Sequence, residues 1–167
     1  MIASLRTVLV TTDFSELAAD AIGYAYAAVA EGGTVHLLHV LELHALGSAP
    51  NPLYAHYAPG HAPSPEERDR IHATCAERLR ALVPAGAEAR QIRTEVHVLD
   101  DPDVGGAIVR AADECDAALI CIASHGRSAL VRSVLGSVAQ SVLGSTHRPV
   151  LVTRPTRRAD KNDYVKS

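Results

Sequence analysis

The stretch 117-AALICIASHGRSALVRSVLGS-137 decides the fold that this sequence predicts. Its first seven residues, Ala117–Ala123, form a short apolar run without alternating polar residues, which is typical of a strand buried on both faces. Gly126 follows just past the strand, and Gly136-Ser137 opens a helix. We therefore interpret this stretch as a buried strand, a polar loop and a helix, and work outward from it.

Four further apolar runs predict strands at Thr7–Thr12, Thr34–Leu41, Glu95–Leu99 and Val150–Thr153. Helical patterns lie between the predicted strands. This alternation indicates a parallel sheet with right-handed crossovers and helices on both faces. In such sheets, ligands bind beyond the carboxyl ends of the strands, where the strand order reverses. The segments after the first and fourth strands are therefore the places to look for a site.

Capping residues mark where the helices begin and end. Ser15 is placed to cap the first helix, and Gly32-Gly33 is expected to stop it. Ser64 is the predicted N-cap of the second helix, because Pro65 suits the first helical position and Glu67 completes a capping box. Each of these signals supports the alternation of strand and helix.

Length and composition favour one α/β domain over residues 1–155, followed by a polar tail at 156–167. Residues 42–63 hold four prolines and no sustained period, so we expect a variable loop there. The formal net charge of −3 argues against a nucleic-acid or membrane-surface role. We find no signal peptide and no run of about 20 apolar residues, so a cytoplasmic protein is expected.

The cysteines and histidines match no metal-binding spacing. Cys75, Cys115 and Cys121 lie in apolar patterns and are expected to be small buried hydrophobic residues in a reducing compartment. Nine histidines are many for this length, but their spacing fits no standard zinc pattern. The sequence therefore predicts no metal site of its own.

The loop after the fourth predicted strand has the composition of a phosphate cradle. Gly136-Ser137 opens a helix whose free N–H groups attract anions. Polar side chains able to bind phosphate oxygens precede it, namely Arg127, Ser128, Arg132 and Ser133. After the first strand, Asp13 is placed to accept hydrogen bonds from ribose hydroxyls. The loop is neither a Walker A loop nor a dinucleotide fingerprint.

Several of these residues also have plainer interpretations. Asp13 can be only a turn residue, and Arg132 a solvated surface charge. Gly105-Gly106 begins a helix, which favours close packing over phosphate binding. Ser124 and His125 are adjacent on an extended segment, so their side chains point apart and no catalytic pair is expected.

These residues together resemble the universal stress protein family. The similarity rests on Thr11-Thr12-Asp13-Phe14-Ser15 after the first strand and on Ala123-x-x-Gly126, nine residues, then Gly136-Ser137. It also includes Leu38-His39-Val40 and Arg148–Val152, and it spans Thr7 to Arg154. The resemblance implies an open, five-stranded, parallel, twisted sheet of order 3-2-1-4-5, Rossmann-like, with helices on both faces.

In that family the glycine motif marks the members that bind ATP. The resemblance implies that Thr11, Thr12 and Asp13 line the nucleoside and that the Val40 backbone meets the adenine edge. Ribose and phosphates would be wrapped by Ala123, Ser124, His125, Gly126, Arg127, Ser128 and Ala129. Gly136 would open the helix at the phosphates, and Ser137 and Val138, with Ala139 behind, would offer helix N–H groups to them. Mg²⁺ would accompany the nucleotide, and Val150–Thr153 would pair two chains into a homodimer.

Three functions follow from these observations. The first is an ATP-binding stress or signalling dimer, in which hydrolysis would be slow because no general base is placed. The second is a dimeric interaction scaffold without nucleotide, which is favoured because Ala123 replaces the first glycine of the motif. The third is a slow nucleotide hydrolase that uses Asp13, His125 and a metal. No catalytic residue is assigned.

Overall fold

The computed structural model describes residues 5–42, 63–124 and 135–154. Its five strands form one parallel sheet in the order β3-β2-β1-β4-β5, so the predicted architecture and strand order are confirmed. The strands are β1 Thr7–Thr11, β2 Thr34–Leu41, β3 Arg93–Asp100, β4 Leu119–Ala123 and β5 Val150–Thr153. The helices are α1 Glu16–Ala28, α2 Pro65–Ala81, α3 Val104–Glu114 and α4 Ser137–Ser145, with a short 3₁₀ helix at Glu88–Arg90.

The two apolar clusters of the core lie on opposite faces of the sheet. Val8 and Val10 of β1 pack with α1 and with Leu79 of α2. Leu9, between them, packs with α3 and α4 on the other face. Successive side chains of a strand point to opposite faces, so a strand covered on both sides must be apolar throughout. This explains the unbroken apolar runs that predict the central strands.

The caps of α2 agree with prediction, and those of α1 agree in part. Ser64 Oγ accepts from the Glu67 amide while the Glu67 carboxylate accepts from the Ser64 amide, which completes the capping box. Ser15 is the N-cap of α1, but its hydroxyl makes no capping bond. The predicted stop of α1 at Gly32-Gly33 was wrong. The helix ends at Ala28, because Val29 is extended and its carbonyl accepts from Arg90 Nη2 at 2.7 Å.

Helices α3 and α4 pack closely because a glycine lies between them. A Cβ atom on Gly105 would clash with the Ser141 side chain, so the predicted packing role of this glycine is confirmed. Cys75 and Cys121 are buried as predicted, whereas Cys115 is only half-buried.

Within the described residues, no helix combines the length and the apolar composition needed to span a bilayer.

Candidate functional site at the carboxyl edge of the sheet

The strand order reverses between β1 and β4, which are neighbours in the sheet. Val10 is paired with Cys121, and continuing this register brings Thr12 level with Ala123. From β1 the chain crosses to β2 and β3 on one side, and from β4 it crosses to β5 on the other. The crossovers diverge here. In doubly wound sheets such a switch point leaves a crevice at the carboxyl edge, which is the usual position of a ligand.

The end of β1 is shaped by its own polar side chains. Thr12 Oγ1 accepts from the Phe14 amide at 3.0 Å, and Asp13 Oδ1 accepts from the Ser15 amide at 2.9 Å. Together they hold Phe14 at φ +64°, a left-handed conformation in which a non-glycine residue needs support. Asp13 is therefore a turn residue, as its plainer interpretation predicted, and it stands at the crevice. Thr11 and Thr12 are buried beneath it.

His39 ties the end of β1 to the neighbouring strand, a role that was not predicted. Its Nδ1 lies 2.7 Å from the Thr12 carbonyl oxygen, and because a carbonyl only accepts, Nδ1 carries the proton. The Thr12 amide donates to the Leu38 carbonyl at 3.0 Å. The Phe14 ring packs against His39 with the ring centroids 4.5 Å apart and the planes tilted by 50°. The Arg78 guanidinium lies over the Phe14 ring, 4.6 Å from its centroid. This arrangement positions the β1 turn rigidly against β2 and α2.

The backbone of Val40 faces the crevice. The Leu38 carbonyl accepts from Thr12, so the peptide groups of Leu38 point towards β1. Peptide groups alternate along a strand, so those of Val40 point to the same side. Strand β1 ends at Thr11, opposite Leu38, and Val40 lies two residues beyond that level. The predicted position of Val40 at the edge is therefore compatible with the fold.

Ser124 anchors the start and the end of the glycine-rich segment. Its amide donates to the Thr153 carbonyl of β5, and its carbonyl accepts from the Gly136 amide, both at 2.7 Å. The chain therefore leaves the sheet at Ser124 and returns to the same point at Gly136. His125, Gly126, Arg127, Ser128 and Ala129 lie outside the described residues, as do Arg132 and Ser133.

The first turn of α4 presents amides at this point. Gly136 is the N-cap, and the first bond within the helix runs from the Gln140 amide to the Gly136 carbonyl at 3.0 Å. The amides of Ser137, Val138 and Ala139 precede that bond, so the helix supplies no acceptor for them. Ala139 is only 2% exposed, and its side chain packs in the core. Any ligand contact of Ala139 is therefore made by its backbone.

Ala123, which we expect at the position of the first motif glycine, is free of backbone strain. It lies in β4, paired with Thr153 of β5. The non-glycine residues with positive φ among the described ranges are Phe14, Gln91 and Asp116. Ala123 is therefore in a conformation that any residue adopts, and its effect on a ligand would come from its methyl group alone.

Cys121, two residues before Ala123, is not a nucleophile for this site. The residue is fully buried in β4, and burial raises the pKa of its thiol to about 12. At neutral pH the side chain is therefore a neutral apolar group, and the thiolate needed for attack is not formed.

A parallel sheet of this strand order, with a glycine-capped helix at its switch point, defines a doubly wound α/β protein. Comparison with family models gives the particular family. The model of the universal stress protein family matches residues 4–154, and the chain belongs to this family. Comparison with curated proteins gives no match.

Solved structures support the same fold. A hypothetical protein designated MJ0577 is 22% identical, with a TM-score of 0.72. The match covers 92% of this chain and 99% of that one. A universal stress protein in complex with cAMP is 22% identical, with a TM-score of 0.56 covering 91% and 98%. A universal stress protein from Archaeoglobus fulgidus in complex with dAMP is 21% identical, with a TM-score of 0.52 covering 90% and 98%.

Proposed function

We propose that this universal stress protein binds ATP at the carboxyl edge of the sheet, between the ends of β1 and β4. One observation carries the proposal: the hydrogen bond between the Gly136 amide and the Ser124 carbonyl. It holds the first turn of α4 at the end of β4, beside β1, which is followed by the turn that contains Asp13. Amides without a helical acceptor, at the positive end of a helix dipole, are the groups that bind phosphate.

The remaining nucleotide contacts follow from the same edge. The peptide groups of Val40 would meet the adenine, and Asp13 would accept from the ribose. The relatives complexed with cAMP and with dAMP hold an adenine nucleotide on the same fold, which supports the choice of base. Mg²⁺ would be held mainly by the phosphates, because Asp13 Oδ1 already accepts from the Ser15 amide.

A second function, a scaffold of the same fold without nucleotide, is favoured by the methyl group of Ala123. This residue lies half-buried at the last position of β4, where the ribose of a bound nucleotide would approach. If the methyl group excludes the ribose, the phosphate-binding turn of α4 would have no nucleotide to hold. The fold and the dimer would remain.

Mass spectrometry of the native protein distinguishes the two functions. The chain is purified without added ligand and denatured, and the released small molecules are quantified. We expect adenine nucleotide at close to one equivalent, and submicromolar ATP affinity by calorimetry after the nucleotide is stripped. Absence of released nucleotide together with no measurable ATP affinity would support the scaffold. Multiple turnovers of ATP would instead indicate the hydrolase.

We further propose a homodimer through β5, which is an edge strand. The carbonyls of Pro149 and Thr153 accept from β4, so the alternate peptide groups of Val150 and Val152 point to the open edge. Pairing of two such edges would cover them both. The three cysteines are free thiols, which fits the reducing cytoplasm where we expect this dimer to act.

Proline substitution tests the dimer. Val152→Pro removes an outward N–H without touching the bonds between β4 and β5, so we expect a monomer by analytical ultracentrifugation. Val96→Pro is the matched control, since Val96 points its peptide groups outward from the opposite edge strand, β3. A dimer that survives Val152→Pro and dissociates with Val96→Pro would locate the interface at β3 instead.

A further inference from the structure

Three metal-binding side chains meet on the sheet, away from the carboxyl edge. His36 of β2 is paired directly with Glu95 of β3, and His97 lies two residues further along β3 on the same face. His36 Nδ1 lies 2.9 Å from His97 Nε2 and 3.6 Å from Glu95 Oε2. One ligand atom from each side chain falls within 4.8 Å of both others.

We infer that His36, Glu95 and His97 form a binding site for a divalent transition metal ion of the zinc class. Zinc bonds of about 2.0–2.2 Å to nitrogen and oxygen, in tetrahedral geometry, separate the ligand atoms by roughly 3.3 Å. The observed separations of 2.9 and 3.6 Å lie on either side of that value. Small side-chain rotations are therefore sufficient to admit the ion.

The donor set selects the metal. Two imidazole nitrogens and one carboxylate oxygen suit zinc and its neighbours, whereas Mg²⁺ and Ca²⁺ prefer oxygen ligands. Three protein ligands leave the fourth position to water. Without metal, one ring donates its N–H to the other. Binding requires that ring to carry its proton on the remaining nitrogen, away from the ion.

The surroundings favour an oriented ligand set. His36 is 7% exposed, so its ring is held by the packing around it. Arg93 Nη2 lies 3.0 Å from Glu95 Oε1, which holds one carboxylate oxygen and directs the other towards His36. Arg93 is thus a positioning residue.

This site is separate from the proposed nucleotide site. Val40 lies four positions beyond His36 along β2, which is roughly 13 Å at the rise of a strand. A metal at this site would not contact nucleotide phosphates. It would instead join the edge strand β3 to β2, because its ligands come from both strands.

Zinc titration of the purified chain tests the inference. We expect one equivalent bound by calorimetry, a raised melting temperature, and visible d–d bands of four-coordinate geometry when Co²⁺ is used. His97→Gln should lower zinc affinity at least about 100-fold and Glu95→Gln at least about tenfold, since even partners of ligands contribute 10–100-fold. Both side chains are half-buried, so these variants should fold, and His36, which is buried, is left unchanged.

Two controls separate this site from other histidines. His72 and Asp100 form a histidine–carboxylate pair on the surface, with His72 Nε2 2.9 Å from Asp100 Oδ2. His72→Gln removes this pair and should leave the zinc affinity unchanged. Replacing His44, His56 and His61 together with glutamine should also preserve the one equivalent. The inference is overturned if the wild-type chain binds no zinc at a concentration of about 100 µM, roughly the dissociation constant of a weak surface site. Unchanged binding in His97→Gln and Glu95→Gln, or loss of binding in the triple variant, would overturn it equally.

Discussion

The two sides of the proposed nucleotide crevice use their polar groups differently. At the end of β1, the side chains of Thr12 and Asp13 accept from nearby amides, and His39 donates to the Thr12 carbonyl. At the start of α4, the N-cap is a glycine without a side chain to accept anything. One side is therefore held by bonds within the chain, whereas on the other the first-turn amides of α4 have no acceptor within the helix.

This difference indicates that the β1 turn has a structural role beside its proposed contact with the ligand, whereas the α4 turn serves the proposed binding alone. The β1 turn must be rigid, because it carries Phe14 at φ +64° and places Asp13 at the crevice. The α4 turn needs no internal cap, because an anion would serve as its cap. We therefore expect substitutions at α4 to act on binding, and substitutions at β1 to act on stability and binding together.

The largest effect is expected from Gly136→Asp. Gly136 has φ −61° and ψ 155°, which aspartate adopts without strain as a good N-cap. The new carboxylate would cap the first-turn amides and repel phosphate, and like charges in contact cost several kcal/mol. We expect ATP affinity to fall at least about 100-fold by calorimetry, with the melting temperature unchanged or raised.

The matched control is Gly23→Asp, which adds the same charge in the middle of α1. A Cβ atom on Gly23 would meet nothing within 4 Å, so the substitution is sterically free. ATP affinity should stay within about twofold of wild type. If Gly136→Asp behaves like this control, the phosphates do not bind at the start of α4.

A smaller effect is expected at Asp13, where alanine and asparagine separate its two roles. Asp13→Ala removes the bond from the Ser15 amide and should lower the free energy of unfolding by about 1 kcal/mol. It should also weaken ATP about tenfold, through loss of the ribose acceptor. Asp13→Asn keeps an oxygen for the turn and should lose less in chemical denaturation. Equal destabilisation by both would show that the charge, not the turn bond, stabilises this segment.

The smallest effect is expected from Ser15→Ala. Ser15 Oγ is buried and lacks a hydrogen-bond partner among the residues that the structure describes. Removing an unsatisfied hydroxyl should change the free energy of unfolding by less than about 0.5 kcal/mol. Ser64→Ala is the contrast, because it breaks a complete capping box and should cost about 1 kcal/mol. A loss of that size for Ser15→Ala would reveal a bond to the hydroxyl outside the described ranges.

Most of the fold could be predicted from local patterns. The doubly buried strands needed apolar residues at every position, and Ser64-Pro65 with Glu67 marked a helix start that the structure confirms. The end of α1 could not be found this way. Arg90, far along the chain, donates to the Val29 carbonyl and stabilises an extended residue there.

The candidate site was predictable in its positions but not in its bonds. Motif spacing placed Asp13 and Gly136 near each other, because both follow neighbouring strands of a parallel sheet. The bond from His39 to Thr12 joins residues of two strands, and no local pattern contains it. The group of His36, Glu95 and His97 was missed for the same reason, since zinc patterns are searched along one segment and these ligands meet across a register.

The sequence by itself determined the alternation of buried strands and capped helices, and with it the edge of the sheet at which we propose that the nucleotide binds. These features depend on side chains a few residues apart, whose periodicity and capping chemistry are local. Only the tertiary structure decided that Ser124 bonds Gly136, that His39 holds the β1 turn, and that His36 faces Glu95 and His97. Each of these contacts joins distant parts of the chain, and the register of the folded sheet sets their distances.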